Sequence, residues 1–278
     1  MHDTASAIGA QFFGRYSRPG QLIVEIGACD VNGSIRSFAD PQARYIGIDI
    51  LPGPGVDLVV GADVPLPIQN KSADIVVATS VLEHDTLFWA TFLDLLRITK
   101  DGGIVYINAP SNGWYHRYPD DNWRFFPDAG KALEKWGRLN GYAVHLVESF
   151  MGERAADVWN DFVAIFQIEP VASSHDFLSD SVPCTNVRRL DVEEPLRVRP
   201  MSEDMSLLEN ATNEIRALKA RNATLAYELL RAKTYAAAFA DVVDPHYRPA
   251  FKFSMQIDDR SAVSDFLDLT AAEHAKPS

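Results

Sequence analysis

Residues 22–50 contain a strand-like apolar segment, a glycine-containing turn, a short helical stretch and a second strand-like segment that ends in an acid. The turn carries Gly27 and Gly33, and glycine lacks the Cβ that keeps backbone from turning sharply or approaching a ligand closely. Asp49 ends the second segment, where a carboxylate can accept hydrogen bonds from two ribose hydroxyls. This order of elements predicts a βαβ unit with a nucleoside-binding site at its strand ends.

The overall composition narrows the class of protein. The chain has 278 residues, of which 47% are hydrophobic and 23% charged, which is enough apolar material for one sizeable core and something smaller. A net charge of −12 argues against a protein that holds nucleic acid, because that task requires clustered lysine and arginine. Cys29 and Cys184 are far apart in sequence and indicate neither a disulfide framework nor a metal cluster.

The distribution of apolar residues predicts no membrane segment. The sequence has no run of 18 or more apolar residues, and Asp3 precedes the first apolar stretch. Neither a membrane span nor a secretory signal is therefore expected. The sequence favours a cytoplasmic protein with a small-molecule partner.

Strand-like and helix-like segments alternate from residue 22 to about residue 170, which is typical of βαβ units. Seven strands are expected, at residues 22–28, 44–50, 56–61, 73–79, 103–109, 143–149 and 162–169. The clearest helices are predicted at 87–99 and 127–139. The expected fold is an α/β, Rossmann-like and mainly parallel sheet. Its last two strands would form an antiparallel hairpin at one edge, since no strong helical pattern separates them.

The sequence changes character near residue 170. Residues 1–170 are expected to form the main domain, and residues 171–200, rich in proline, serine and charge, a linker. A long helix is predicted over 201–240, and 241–278 give no functional signal. From 205 to 233 the helix follows a heptad pattern. Its a positions are Leu208, Ile215, Asn222 and Leu229, and its d positions are Ala211, Leu218, Leu225 and Ala232.

Two glutamate–lysine pairs in this helix occupy g and following e positions, an arrangement that pairs charges across a parallel dimer. They are Glu214 with Lys219 and Glu228 with Lys233. Polar Asn222 at an a position favours two strands, whereas the alanines at d weaken the seam. A homodimeric coiled coil and a single helix packed on its own domain are both open.

Further motifs follow the first βαβ unit at regular intervals. An acid, Asp63, comes after the third strand-like segment. The fourth begins with Ser72-Ala73-Asp74-Ile75 and continues into Val81-Leu82-Glu83-His84, and Lys100-Asp101-Gly102-Gly103 leads into the fifth. With these motifs, residues 20–170 resemble the class I S-adenosylmethionine-dependent methyltransferases of the broad small-molecule group.

This resemblance implies a bound S-adenosylmethionine and roles for specific residues. Glu25, Gly27 and Gly33 would hold the methionine end of the cofactor, Asp49 the ribose and Asp63 the adenine amino group. Glu83 is a further candidate for a cofactor contact, or a loop acid that stabilises nearby amides. As alternatives, the glycines could serve only the turn, and Asp49 could cap the next segment.

A long polar and aromatic loop after the fifth strand is the candidate acceptor site. Loops this long inside a compact domain are usually functional or disordered, and the aromatic content argues against disorder. Trp114 and Tyr115 offer flat surfaces for sugars or rings, while Asp120 and Asp121 offer base or metal-ligand chemistry. The alternative for the end of the loop makes Trp123, Phe125 and Phe126 core residues and pairs Arg124 with Asp120.

Two histidines are candidates for general base in a methyl transfer to oxygen. His84 follows the fourth strand, where ligands bind in such sheets, and His116 lies in the loop. An imidazole titrates near neutral pH, so either could remove the proton of an alcohol acceptor, and His116 is preferred. Magnesium held by Asp120 and Asp121 is an alternative, but adjacent loop acids are more often simply solvated, and no metal is expected.

The function that the sequence predicts is methyl transfer from S-adenosylmethionine to a small polar acceptor, at an oxygen of a sugar, glycan or natural-product precursor. One alternative is a scaffold or assembly protein that uses a degenerate methyltransferase fold and the coiled coil. A second is a dinucleotide-dependent oxidoreductase, against which stands the absence of Gly-x-Gly-x-x-Gly after the first strand.

Overall fold

A computed structural model describes residues 2–62, 64–171 and 176–242 of the chain. The chain divides into two units, Met1–Pro200 and Met201–Ser278. The first unit holds a mixed α/β fold around one sheet, and the described part of the second is a long helix.

The sheet of the first unit has nine strands in the order β3-β2-β1-β4-β5-β7-β6-β8-β9. The strands are β1 Leu22–Ile26, β2 Arg44–Asp49, β3 Leu58–Val59, β4 Ala73–Thr79, β5 Thr99–Pro110, β6 Val144–Gly152, β7 Asp161–Ile168, β8 Cys184–Arg189 and β9 Val192–Leu196. The first five strands pair in parallel, and β7, β6, β8 and β9 continue the sheet through antiparallel pairs. The carboxyl ends of β1, β2 and β4 therefore meet at one edge of the sheet.

Helices cover both faces of this sheet. They are α1 Asp3–Tyr16, α2 Phe88–Ile98 and α3 Asp128–Leu139. Because successive residues of a strand point to opposite faces, β5 contributes Val105 to the core shared with α2 and α3 and Tyr106 to the core shared with α1. On the α1 side, the Phe12 ring stacks on the Tyr106 ring with centroids 4.3 Å apart. The central strands are buried on both faces, which explains their continuous apolar sequences.

The structure confirms the α/β class and the parallel centre of the sheet, and it corrects several expectations. The sheet has nine strands rather than seven, because residues 184–196, expected within a linker, form β8 and β9. The antiparallel β6–β7 hairpin is present but does not lie at the sheet edge, since β8 pairs with β6. Helix α1 was not among the predicted elements, although it covers one face of the sheet.

The second unit begins with α4, Glu203–Val242, close to the predicted bounds. The heptad residues Leu208, Ile215, Leu218 and Leu225 each expose between 50% and 68% of their surface. These seam side chains are thus largely exposed in the part of the chain that the structure describes, and the coiled coil stays a prediction. The predicted tail at 241–278 lies almost entirely outside the described residues. Among the described residues, no helix is both long and apolar enough to span a bilayer.

Candidate functional site

A cleft of about 1350 Å³ opens at the carboxyl ends of β1, β2 and β4. Ligands of doubly wound sheets bind in this position. The predicted site residues that line it are Glu25, Gly27, Gly33, Asp49, Glu83, His84, His116 and Asp120. Trp114, Tyr115 and Asp121 are not part of this lining. Asp63, the predicted adenine contact, lies outside the described residues.

The turn after β1 can be built only with glycine at its first position. Gly27 has φ +70°, in the left-handed region that favours glycine. A Cβ at Gly27 would also lie 2.1 Å from Cγ2 of Val81, so the turn packs directly against the segment after β4. Gly33, with φ +105°, donates its backbone N–H to Asp30 at 2.8 Å. The backbone of this turn forms one wall of the cleft.

Asp49 joins the ends of β1 and β2. Its Oδ2 accepts the backbone N–H of Cys29 at 3.0 Å, and its Oδ1 accepts that of Leu51 at 3.1 Å. These bonds hold the carboxylate in place on the cleft wall. Each carboxylate oxygen has a second lone-pair direction, so both can still accept a hydrogen bond from a ligand hydroxyl.

Glu25 is a buried acid on the same wall. Its side chain accepts a hydrogen bond from the Tyr45 hydroxyl at 2.9 Å, and only 4% of the residue is exposed. Burial raises the pKa of Glu25 to about 7, because desolvation disfavours the ionised carboxylate more than the Tyr45 hydroxyl favours it. A cationic ligand group beside Glu25 would therefore stabilise the ionised form of its carboxyl group.

The opposite wall is built by the loop after β5, which folds back onto the segment after β4. The carbonyl oxygen of Glu83 accepts the backbone N–H groups of Asn122 and Trp123 at 2.7 and 3.1 Å. The Trp123 indole N–H donates to the carbonyl of Asp85 at 2.8 Å. These bonds bring residues more than thirty positions apart in sequence to the same place.

Asp121 and Arg124 brace this loop. The guanidinium of Arg124 forms a two-pronged ion pair with the carboxylate of Asp121, at 2.5 and 2.8 Å. These hydrogen bonds from Arg124 lower the pKa of Asp121 to about 2. Asp121 also accepts the backbone N–H of His116 at 2.8 Å, so it positions that histidine. The sequence paired Arg124 with Asp120, but the structure pairs it with Asp121, and the closest cation to the Asp120 carboxylate is Arg117 at 3.5 Å.

Two imidazoles face each other across the cleft wall. The rings of His84 and His116 meet edge to face, with centroids 4.9 Å apart. Nδ1 of His84 lies 2.5 Å from the carbonyl oxygen of Asp120, and Nδ1 of His116 lies 3.1 Å from that of Trp114. A carbonyl oxygen can only accept, so both Nδ1 atoms donate and both neutral rings keep a lone pair on Nε2. Burial lowers the pKa of His84, which favours its neutral form.

The carboxyl group of Glu83 lies beneath these imidazoles. Only 1% of Glu83 is exposed, and its Oε1 is 3.7 Å from Nε2 of His84. Burial raises the pKa of Glu83 to about 8. Its Oε2 finds no hydrogen-bond partner among the described residues. A buried polar atom without a partner is costly, which indicates that something else satisfies it when the site is at work.

Two polar residues of the cleft were missed by sequence reasoning. The hydroxyl oxygens of Thr79 and Ser80 are buried on the cleft wall and are also unpartnered among the described residues. Thr79 is the last residue of β4 and Ser80 follows it, with φ +54°, unusual for a residue other than glycine. Their place at the carboxyl end of a predicted central strand was the available signal.

The aromatic residues of the loop divide differently from the prediction. Trp114 and Tyr115 are 73% and 75% exposed, outside the cleft lining. Phe125 is buried against Phe162 of β7, as the core alternative expects, but Phe126 is 58% exposed. The aromatic residues that do line the cleft are Tyr118, Tyr142 and Trp159, and the Trp159 ring meets that of His116 with centroids 5.1 Å apart.

Comparison with known proteins relates the chain to methyltransferases. No protein-family model matches it. Over 122 residues it is 30% identical to a protein of Mycobacterium leprae named an uncharacterized methyltransferase, covering 38% of this chain and 44% of that protein. Over 120 residues it is 28% identical to an uncharacterized methyltransferase of Mycobacterium tuberculosis, covering 38% and 46%. The chain thus spans less than half the length of the curated relatives it matches.

Two solved structures are similar in part. One is 1,6-didemethyltoxoflavin-N1-methyltransferase of Burkholderia thailandensis, bound to 1,6-didemethyltoxoflavin and S-adenosylhomocysteine, with 14% identity, a TM-score of 0.43 and coverage of 59% of this chain and 76% of that one. The other is phosphoethanolamine N-methyltransferase 2 of Haemonchus contortus in complex with S-adenosyl-L-methionine, with 13% identity, a TM-score of 0.39 and coverage of 59% and 52%. In sequence, the chain is therefore related to proteins named methyltransferases.

Proposed function

We propose that this protein transfers a methyl group from S-adenosylmethionine to an oxygen of a small polar acceptor, such as a sugar, glycan or natural-product precursor. The observation that carries the proposal is that Gly27, Asp49 and His116, distant in sequence, line one cleft. The sequence relationship to proteins named methyltransferases supports the same reaction class.

The cofactor end of the cleft fits S-adenosylmethionine. The turn at Gly27 presents backbone to the cleft, and Asp49 presents two acceptor oxygens for a ribose diol. Glu25 is a buried acid suited to an ammonium group. When bound, the cofactor supplies an activated methyl group. Asp63 remains the proposed adenine contact, and Gly33 is proposed to close the turn around the methionine end.

The acceptor end would position and deprotonate a hydroxyl group. His116 is the proposed base, because its Nε2 keeps a lone pair while Nδ1 donates to a backbone carbonyl. His84 is the second candidate on the same grounds. The buried hydroxyls of Thr79 and Ser80 could hydrogen-bond the acceptor, and most of the catalysis would come from alignment in this partly desolvated site.

The loop residues that do not line the cleft are proposed to have other roles in the reaction. Trp114 and Tyr115 could contact an acceptor that extends beyond the cleft, whereas Asp121 would act by holding His116 in place. Asp120 contributes its backbone carbonyl to His84, and its half-exposed carboxylate, which pairs with Arg117, could also meet a polar acceptor. This division predicts that Asp121 affects turnover and Trp114 affects acceptor affinity.

Ligand-induced stabilisation distinguishes this function from a dinucleotide-dependent one. A ligand that binds only the folded protein adds about 2.7 kcal/mol to the free energy of unfolding at a hundred times Kd, and it thereby raises the Tm. We expect S-adenosylmethionine and S-adenosylhomocysteine to raise the Tm and NAD⁺ to leave it unchanged. A rise with NAD⁺ alone would contradict the proposal and favour an oxidoreductase.

An acceptor screen with a labelled methyl donor tests the role of His116. The expected result is that His116→Ala loses turnover of whichever acceptor is methylated and keeps its cofactor affinity. His145→Ala is a matched control, since His145 also pairs with an acid, Glu169, but on the surface away from the cleft. Normal turnover by His116→Ala would exclude His116 as the base.

An assembly role through α4 is the second candidate. The observation that favours it is the half-exposed seam of Leu208, Ile215, Leu218 and Leu225. A second copy of the helix in parallel would bury this seam and pair the glutamates and lysines at g and e. Sedimentation analysis is expected to give a dimer that Leu218→Asp converts to monomer. Leu230→Asp, which replaces an equally exposed residue off the seam, is expected to leave it dimeric.

A further inference from the structure

We propose that Glu83, His84 and His116 form a binding site for one divalent transition-metal ion of the zinc class, on the acceptor wall of the cleft. Each residue offers one ligand atom, and the three atoms lie within 4.8 Å of one another. The sequence predicts no metal, and the magnesium alternative used Asp120 and Asp121, so this site is a different one. Asp121 is instead paired with Arg124.

The hydrogen bonds around the two imidazoles prepare them as ligands. Metal-bound histidines usually donate their second ring N–H to a carbonyl or carboxylate, which fixes the tautomer and the ring orientation. Nδ1 of His84 has the carbonyl of Asp120 at 2.5 Å, and Nδ1 of His116 has that of Trp114 at 3.1 Å. Both Nε2 lone pairs are therefore left for an ion.

The third ligand is supplied by an otherwise unexplained buried group. Glu83 is 1% exposed, and its Oε2 finds no hydrogen-bond partner within the described part of the chain. Buried carboxylates are normally paired or coordinate a metal. Coordination through either oxygen would offset the cost of keeping the carboxylate away from water, and coordination through both would also satisfy Oε2.

The donor set indicates which ions fit. Two imidazoles and one carboxylate suit Zn²⁺, Co²⁺ or Fe²⁺, whereas Mg²⁺ prefers oxygen ligands alone. Ligand atoms around a tetrahedral zinc, at about 2.0 Å from the ion, lie about 3.3 Å apart. Nε2 of His84 is already 3.7 Å from Oε1 of Glu83, so small side-chain rotations would close the set.

Three protein ligands leave an open coordination position, and Glu83, His84 and His116 all face the cleft. A bound ion would act as a Lewis acid, holding an acceptor oxygen and lowering the pKa of its hydroxyl. The histidines would then act on the acceptor through the ion rather than as free bases. That role rests on the proposed methyl transfer, whereas binding of the ion does not.

Metal binding can be measured without any acceptor or cofactor. Chelator-treated, tag-free full-length protein would be titrated with Co²⁺, followed by its visible absorption, and with Zn²⁺ by calorimetry. We expect one tight equivalent of each and no displacement by millimolar Mg²⁺. In ¹⁵N-histidine NMR of the wild-type protein, Zn²⁺ is expected to shift the Nε2 signals of two of the seven histidines.

Two variants and one control locate the ion. His116→Ala and Glu83→Gln are each expected to weaken Zn²⁺ binding at least tenfold, because even residues that only support a ligand change affinity 10–100-fold. His145→Ala, which breaks a surface histidine–glutamate pair, should leave it unchanged. His116 is part-exposed, so its variant is expected to fold, as thermal unfolding would check.

Several results would overturn the proposal. They are the absence of a tight equivalent on the wild-type protein, histidine signals that do not respond to Zn²⁺, or affinity unchanged in folded His116→Ala. Cofactor binding is measured separately with S-adenosylhomocysteine. If the wild-type protein binds S-adenosylhomocysteine but no metal, the metal site alone is refuted. If it binds the metal but not S-adenosylhomocysteine, the proposed methyl transfer alone is refuted.

Discussion

The two walls of the cleft are built in different ways. The wall proposed to hold the cofactor, here the cofactor wall, comes from residues 25–49. Its two parallel strands are joined through a short 3₁₀ helix, Ile35–Phe38, rather than the α-helix of a βαβ unit; Gly27 follows β1 and Asp49 ends β2. The acceptor wall joins the segment after β4 to a loop that follows β5, through bonds such as the one from Asn122 to Glu83. The first wall depends on local backbone geometry, and the second depends on a loop that must fold onto a distant segment.

This difference sets how each wall should respond to change. On the cofactor wall a single added atom meets packed side chains, as at Gly27. On the acceptor wall the geometry depends on polar contacts, and the ion pair between Asp121 and Arg124 is the one expected to contribute most to stability. The predictions below test that contrast, from the largest expected effect to the smallest.

Gly27→Ala is expected to have the largest effect. The new Cβ would lie 2.1 Å from Val81 at φ +70°, so both a clash and a strained backbone follow. We expect a loss of about 3 kcal/mol or more in the free energy of unfolding in urea, with loss of S-adenosylhomocysteine binding. Gly20→Ala, at φ +78° in open space, isolates the backbone cost and should lose about 1 kcal/mol. Equal losses in Gly27→Ala and Gly20→Ala would show that the contact with Val81 adds nothing to the cost of the strained backbone.

Asp121→Asn tests the brace of the acceptor wall. It leaves Arg124 without its anionic partner and weakens the bond that holds the His116 backbone. The expected cost is about 2 kcal/mol in unfolding free energy, the scale of a charged hydrogen bond, with turnover lost and cofactor affinity kept. Asp120→Asn, whose ion pair with Arg117 is more than half exposed, should cost under about 0.5 kcal/mol. A larger loss of stability in Asp120→Asn than in Asp121→Asn would contradict the role assigned to the Asp121–Arg124 ion pair.

The pH dependence of cofactor affinity tests Glu25. Its pKa is raised to about 7, so the carboxyl is largely protonated below that pH, and a cationic ligand group favours its ionised form. Binding then releases a proton, and S-adenosylhomocysteine affinity is expected to rise roughly tenfold per pH unit from about pH 5.5, levelling above 7. Glu25→Gln should flatten the calorimetric profile. The same slope in that variant would assign the proton to another group.

Trp114→Ala is expected to have the smallest effect on the fold. The side chain is 73% exposed and lies outside the cleft lining. Substitutions at such positions usually change the free energy of unfolding by less than about 0.5 kcal/mol. Cofactor affinity should also be unchanged, so any rise in the KM of an acceptor would report a direct contact. A loss of cofactor affinity in this variant would contradict the proposal that Trp114 contacts only the acceptor.

Sequence reasoning succeeded where structure follows from local pattern. The bounds of β4 were predicted to the residue, and α3 within one, because long apolar runs and amphipathic helices leave few alternatives. It failed for residues 184–196, whose polar, proline-containing sequence forms strands only because β6 offers a free edge. Tertiary pairing overrides weak local preference there.

The same limit applies to the site. Asp49 and Gly27 follow from their spacing after apolar strands, and the structure places both on the cleft. That His84 and His116 meet at 4.9 Å depends on how the intervening loop folds, which neither residue's neighbours specify. Likewise, Arg124 pairs with Asp121 rather than with adjacent Asp120 because of the loop's path. The sequence identified these residues as candidates, but it did not predict which of them contact one another.

The central claim is that the cleft binds S-adenosylmethionine through Asp49. Calorimetric titration of the purified protein with S-adenosylhomocysteine, beside a dinucleotide and the Asp49→Ala variant, tests it most directly. The account predicts micromolar binding that Asp49→Ala weakens by one to a few kcal/mol, on the scale of buried hydrogen bonds, in a folded protein. No binding to the folded wild-type protein, or equal binding by the variant, would contradict it.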